Sequence, residues 1–202
     1  DDIYVLEAGA NRAEIQQDDS KIEEAWRRIL EKDPNYANSY NMLGYLELNR
    51  GNYDLAIEYM QKYAFLAPDL ANPHDSLGEV YLALGRYEEA EAEFQASVKM
   101  QPDFYHSLIN LGKVYLARGQ IRRGVEIFEA LRGEVAGSDL EKRVDREIIS
   151  TYLRAELLPE LGQATARFIS RYPEEDASAV YRAVRLAHLG RVAEGRAVMD
   201  SS

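Results

Sequence analysis

The side chains that could perform acid–base, metal or covalent chemistry are few in this chain, and their spacing does not favour such chemistry. There are three histidines, His74, His106 and His188, and no cysteine. A helical zinc site presents two histidines four residues apart, and no two of these histidines have that spacing. Without cysteine, thiolate ligands, disulfides and thiol nucleophiles are excluded. The sequence therefore predicts a protein that is not an enzyme, with no catalytic residue, no metal site and no cofactor.

The glycines and carboxylates, which could form a phosphate-binding loop or an acid–base pair, also lack the spacing of a catalytic site. The sequence contains no nucleophile elbow and no glycine-rich phosphate loop. The acidic residues in 88–93 alternate around the outer face of a predicted helix. We therefore interpret them as solvated surface.

Composition limits the classes of partner. The chain is 46% hydrophobic and 29% charged, which is typical of a folded chain rather than a disordered one. Its formal net charge of −11 would repel nucleic-acid phosphates and anionic membrane surfaces, although such a charge can serve solubility alone. No apolar run approaches the ~20 residues that span a bilayer. We expect no nucleic-acid partner and no membrane insertion.

The chain begins at Asp1 rather than Met, which is expected of a processed or trimmed product and predicts no compartment.

Most of the chain is organised by a repeat of 34 residues. Three independent series share this spacing, one of Leu-Gly pairs, one of single glycines and one of prolines. They are Leu43-Gly44, Leu77-Gly78 and Leu111-Gly112; Gly51, Gly85 and Gly119; and Pro34, Pro68 and Pro102. Three series in one register indicate a repeat architecture.

Each repeat has the pattern of two helices. In residues 87–100 apolar side chains recur every three or four positions, which indicates a helix with one buried face. Gly44, Gly78 and Gly112 lie inside predicted helices, where glycine costs ~1 kcal/mol relative to alanine. We interpret that cost as a requirement for close helix packing. Gly51 and its equivalents are expected to end the first helix in the left-handed conformation, and the prolines to stop the second helix.

Small and large side chains at fixed offsets, such as Ala56-x-x-x-Met60 and Ala90-x-x-x-Phe94, resemble those of the tetratricopeptide repeat. The match is close over residues 37–104 and good over residues 105–132. The resemblance implies an all-α fold, a right-handed superhelical solenoid of antiparallel helix pairs with about five to six repeats.

We predict a single solenoid over residues 1–202. Its repeats are a degenerate N-terminal one at 3–35, regular ones at 37–70 and 71–104, one with an irregular end at 105–139, a divergent one at 140–174 and a truncated one at 175–202. Pro173 follows Pro102 by 71 residues, which is two periods plus three, so three residues are inserted between them. Gly133 and Gly137 lead us to place this insertion in residues 132–139. The last predicted helix, residues 192–199, lacks the polar cap that a solenoid normally requires.

In the family that these repeats resemble, the first helices line a groove that takes extended or helical segments of partner proteins. Carried over by register, the resemblance implies a groove lined by Asn38, Asn41, Tyr45, Asn72, Asp75, Glu79, His106, Asn110, Lys113, Arg143 and Arg146. Asparagine carboxamides can pair with a peptide backbone whatever its side chains. The later arginines can bind an acidic segment or a C-terminal carboxylate. The resemblance therefore predicts a protein–protein interaction adaptor or scaffold that holds a peptide segment of a partner protein.

Simpler explanations apply to some of the same residues. Asn38 and Asn72 also lie near predicted helix starts, where asparagine caps well. Arg143 can pair with Glu147, four residues later on a helix. The basic set with which a subset of the family clamps acidic chaperone tails is absent here.

Two other functions stay open. The chain can be a structural module that assembles with itself as a homodimer. That contact would use the apolar C-terminal end, which includes Val192, Val198 and Met199. Alternatively, the chain is the interaction domain of a longer signalling or secreted protein, whose chemistry lies elsewhere.

Overall fold

The computed structural model describes residues 2–16, 18–191, 193–194 and 197–198, and all regular secondary structure in these ranges is α-helical. The helices are α1 Ile3–Ile15, α2 Asp19–Lys32, α3 Ala37–Asn49, α4 Tyr53–Leu66, α5 Asn72–Ala83, α6 Tyr87–Met100, α7 Tyr105–Ala117, α8 Ile121–Glu134, α9 Asp139–Arg154, α10 Leu158–Arg171 and α11 Asp176–His188. The prediction of an all-α repeat fold is confirmed.

The chain divides into two compact units. Unit 1 comprises residues 1–114 and unit 2 comprises residues 115–202, so the boundary falls inside α7. In unit 1, α1 packs on α2, α3 on α4 and α5 on α6, while α2–α3, α4–α5 and α3–α5 contacts join successive pairs. The core of this unit contains the fully buried side chains of Trp26, Leu43, Met60 and Phe94.

Two helical glycines allow the paired helices of unit 1 to approach closely. A Cβ atom on Gly44 would lie 2.8 Å from Met60 Cε, and one on Gly78 would lie 2.7 Å from Phe94 Cε1. Both distances are shorter than van der Waals contact. The prediction that these glycines are required by close packing is therefore confirmed.

The turns inside the helix pairs use the left-handed backbone conformation. Gly51, Gly85 and Gly119 have φ angles of 78°, 71° and 74°, as their positions predict. Gly190 ends α11 with a φ of 76°. The equivalent position between α9 and α10 holds Glu156, with a φ of 56°. Glu156 is the only residue besides glycine with positive φ among the described residues.

In unit 2, α8 packs on α9, α9 on α10 and α10 on α11, around buried Phe128, Ile148 and Phe168. The predicted site of the three-residue insertion was wrong. The loop of residues 135–138 is as long as that of residues 101–104, whereas α9 has 16 residues and α7 has 13. Three residues are nearly one helical turn, so a helix can absorb them while its buried face stays nearly in register.

Half of the predicted last helix, residues 192, 195, 196 and 199, lies outside the described residues. Val192 and Met199 both lie outside them, so the proposed apolar contact surface at this end stays a prediction. Within the part of the chain that the structure describes, no helix combines the length and apolar character needed to cross a bilayer.

Candidate functional site

Three helices of unit 1 bring most of the predicted groove residues together. Helix α3 contacts α5, and side chains of α7 form hydrogen bonds with α5. Because equivalent helices are about one 34-residue period apart, residues at the same repeat position lie side by side. The pair Tyr45 and Glu79 illustrates this arrangement, since their side chains are in direct contact.

A hydrogen-bond network links α3 to α5. The Tyr45 hydroxyl lies 2.7 Å from Glu79 Oε2 and 3.1 Å from Ser76 Oγ. Ser76 Oγ in turn donates to Asn41 Oδ1 at 3.0 Å. Burial, followed by the nearby charge of Glu79, raises the pKa of Tyr45 far above its ordinary value. The phenol therefore stays protonated and can donate to the Glu79 carboxylate.

The same network continues from α5 to α7. Asn110 Nδ2 donates to Glu79 Oε1 at 3.1 Å and, more weakly, to Asp75 Oδ1 at 3.5 Å. Ser107 Oγ donates to Asp75 Oδ1 at 2.7 Å, and it also lies 2.7 Å from Ser97 Oγ on α6. The two carboxylates are one helical turn apart on α5, and both accept from Asn110.

The Asp75 carboxyl is buried, with a residue exposure of 5%. Burial raises its pKa, and the charge of Glu79 acts in the same direction. Hydrogen bonds from Ser107 and Asn110 and the proximity of His106 act the other way. In the described part of the chain, neither Asp75 nor Glu79 forms an ion pair with a lysine or arginine.

Two amide atoms of the network have unused hydrogen-bonding capacity. Carboxylates only accept hydrogen bonds, so the contacts with Asp75 and Glu79 fix which end of the Asn110 amide is the donor. Within the described ranges, Asn110 Oδ1 and Asn41 Nδ2 form no hydrogen bond. The two residues are largely buried, with exposures of 6% and 9%, but these two atoms are not among the fully buried side-chain atoms that lack a partner. We call Asn41, Tyr45, Glu79 and Asn110 the polar face of unit 1. It offers one free donor and one free acceptor held by an internal network.

The other predicted groove residues of unit 1 lie around this network. Asn72 Nδ2 donates to the Tyr63 hydroxyl at 3.0 Å, and Asn38 is exposed near the start of α3. The His106 ring packs edge-on against Phe104, with ring centroids 6.1 Å apart. Lys113 is partly exposed on α7.

Ser97 and Ser107 belong to the network, and the sequence did not single them out as site residues. Serine has no spacing signature of its own. For Ser107, the available signal was the buried carboxylate of Asp75, 32 residues earlier, which needs a nearby donor.

The two predicted arginines lie on α9 in unit 2. Arg143 is exposed, whereas Arg146 Nη2 donates to Glu175 Oε2 at 2.9 Å. Lys142 also forms an ion pair with Glu175. The Arg146 guanidinium lies 5.9 Å from the centroid of the Phe168 ring. Part of the basic charge on α9 is therefore already neutralised by the chain itself.

The net negative charge of the protein comes from unit 1. This unit has 21 Asp and Glu residues against 10 Lys and Arg residues, which gives a net charge of −11. Unit 2 has 14 of each kind and is neutral. Any long-range electrostatic preference for a partner therefore comes from unit 1.

Comparisons with known proteins identify the repeat. Two sequence models, both described as tetratricopeptide repeat, match residues 25–58 and 76–139. No curated protein sequence matches the chain. Among solved structures, the chain is similar to PilW, described as a widely conserved type IV pilus biogenesis factor. The TM-score is 0.80 at 17% identity, and the match covers 99% of this chain and 93% of that one.

Two further structures show the same repeat architecture. Pseudomonas aeruginosa pilF matches with a TM-score of 0.76 at 16% identity, over 97% of this chain and 88% of that one. A mutant O-GlcNAc transferase of Thermobaculum terrenum matches with a TM-score of 0.53 at 27% identity. That match covers 56% of this chain and 22% of the transferase, so the chain spans less than a quarter of that protein.

Proposed function

Because this chain belongs to the tetratricopeptide repeat family, whose repeats generally mediate protein–protein interaction, we propose that it is an adaptor that holds a peptide segment of a partner protein on the polar face of unit 1. Proteins of this family are generally non-enzymatic scaffolds, and the proposal gives the chain no catalytic step.

The observation that carries the proposal is the network that joins α3, α5 and α7. It fixes the side chains of the polar face before any partner arrives, so binding would lose little side-chain entropy. Asn41 Nδ2 can donate to a peptide carbonyl, and Asn110 Oδ1 can accept from a peptide N–H. Such contacts recognise an extended backbone whatever its side chains.

The test is affinity capture from the source organism with the whole chain as bait. Wild type is compared with the double variant Asn41→Ala, Asn110→Ala. The matched control is Asn35→Ala, which removes a carboxamide from the loop before α3. Because each alanine on the polar face leaves a hydrogen-bond partner unsatisfied, circular dichroism must first show that the double variant is folded.

We expect a partner protein that wild type and the control retain and the double variant loses. Overlapping peptides from that protein then define the bound segment, whose affinity should fall at least tenfold in the double variant. If the folded double variant captures the same proteins as wild type with the same affinity, the polar face is not the binding surface.

A further inference from the structure

The buried carboxylates of this chain differ in whether a guanidinium group lies close enough to compensate their charge. Glu47 has an exposure of 3% and lies 2.9 Å from Arg50. Glu141 has an exposure of 6% and lies 2.8 Å from Arg171. Asp145 has an exposure of 2% and lies 3.5 Å from Arg167. Each of these carboxylates has a guanidinium from the chain within 4.0 Å, as expected where desolvated charge is compensated.

Asp75 is as buried as these three residues, and it lacks such a guanidinium. Its exposure is 5%, and the groups that reach its carboxylate are the neutral side chains of Ser107 and Asn110. Glu79 follows one turn later on α5 and is partly exposed. Tyr45 and Asn110 each donate one hydrogen bond to it, whereas a carboxylate has about four acceptor sites. Both carboxylates keep acceptor sites, and that of Glu79 is the one that a partner can reach.

The surroundings of this pair favour a positive partner. Unit 1 carries the net charge of −11, which raises the local concentration of cationic segments and repels acidic ones. The free donor of Asn41 and the free acceptor of Asn110 lie on the same network, on either side of Tyr45 and Glu79. A peptide held by its backbone between these amides would place a side chain at Glu79.

We propose that the segment held on the polar face is basic, and that a lysine or arginine side chain of the partner pairs with Glu79 and compensates the adjacent Asp75. This inference rests on the proposed function and adds to it the chemistry of the partner. The peptide backbone contacts the amides of Asn41 and Asn110. The cationic side chain supplies the counter-charge that the chain gives to Glu47, Glu141 and Asp145 but not to Asp75 and Glu79.

The probe is a phage-displayed library of random peptides, selected against the whole chain. The enriched peptides are then synthesised, and their affinities are measured by fluorescence anisotropy at low and high salt. Four proteins are compared: wild type, Glu79→Gln, the Asn41→Ala, Asn110→Ala variant and Glu58→Gln. The last is the matched control, since it removes the same charge from an exposed position on α4 of the same unit.

We expect enriched peptides that carry lysine or arginine and bind at least tenfold more weakly to Glu79→Gln than to wild type or Glu58→Gln. Their affinity should also fall with salt, since the contact is ionic. A second selection against Glu79→Lys should enrich acidic peptides instead.

Other outcomes separate this inference from the proposed function. Peptides that need Asn41 and Asn110 but carry no basic residue, or bind Glu79→Gln as tightly as wild type, overturn the basic partner and leave the peptide-holding function in place. Peptides that bind the folded Asn41→Ala, Asn110→Ala variant as tightly as wild type, or the absence of any binding peptide, overturn both.

Discussion

Substitution of Gly78 by alanine should destabilise unit 1, although alanine is the better helix former. The new Cβ would lie 2.7, 2.9 and 3.0 Å from three carbons of the Phe94 ring. That ring is fully buried, so it can move only if its neighbours move as well. Overpacking of a core costs ~1–3 kcal/mol, and because the ring is fully buried we expect the upper part of that range, ~2–3 kcal/mol. The gain in helix propensity returns ~1 kcal/mol. We therefore expect the free energy of unfolding to fall by about 1–2 kcal/mol.

Two other glycines of unit 1 provide a graded control. Gly44→Ala would meet Met60 Cε at 2.8 Å, but this atom is the end of a flexible side chain, so the loss should be smaller. Gly9 lies in α1, where an added Cβ would have no neighbouring atom within 4 Å, so Gly9→Ala should stabilise the chain by roughly 0.5–1 kcal/mol. Urea unfolding followed by helical circular dichroism measures all three. If Gly78→Ala is as stable as wild type, close packing does not explain why glycine recurs at this position of the repeat.

Two further predictions concern backbone strain and pH. Glu156→Gly should stabilise unit 2 by about 1 kcal/mol in the same unfolding assay, because glycine adopts the φ of 56° without the steric cost borne by glutamate. The hydrogen bond from Tyr36 to Glu7 Oε1 at 2.6 Å raises the pKa of Tyr36 to about 12, which ultraviolet titration should detect. Because the folded-state pKa of Tyr36 is the higher one, its contribution to stability is complete below pH ~10 and is lost as the pH rises towards 12.

Each of these predictions has a simple control. Glu156→Ala removes the same carboxylate without relieving the backbone, so it should give no comparable gain; an equal gain would mean that the charge matters and the backbone conformation does not. Glu7→Gln removes the charge beside Tyr36, so the titration of this tyrosine should move down in pH. A titration that is unchanged in Glu7→Gln would contradict the assigned cause.

The repeated parts of the fold could be predicted because local sequence rules determine them. Gly51, Gly85 and Gly119 mark the turns, since only glycine adopts a left-handed backbone without strain. The extension of α9 was missed because Gly133 and Gly137 together suggested a loop. Gly133 instead lies inside α8, and only Gly137, with a φ of 85°, occupies a turn. Glycine composition does not distinguish these two environments, because tertiary packing decides between them.

For the site, the register of the repeat predicted which side chains are neighbours, but not which of them bond to each other. Tyr45 and Glu79 were both expected on one surface, and their hydrogen bond is a result of rotamers that the spacing does not determine. The same limit applies on α9, where the sequence offered Glu147 as a partner for Arg143. The structure shows a pairing that crosses to the next helix pair, between Arg146 and Glu175, 29 residues later.

Asp75 and Glu79 on α5 have no ion-pair partner within the described part of the chain, so a charge that would favour a basic partner should also lower the stability of the free chain. This opposition can be measured. Asp75 and Glu79 are like charges four residues apart on one helix, and such pairs destabilise a helix by about 0.2–0.5 kcal/mol even when they are exposed. Glu79→Gln should therefore raise the free energy of unfolding of the free chain by about 0.5 kcal/mol at low salt. The glutamine carbonyl can still accept from Asn110, and its amide can donate to the Tyr45 oxygen, so the network keeps its connections. The gain should shrink in 1 M salt, where charge repulsion is screened. If the variant is less stable than wild type at low salt, Glu79 is retained for the stability of the fold. If the variant is more stable and binds basic peptides poorly, the chain retains this charge for its partner.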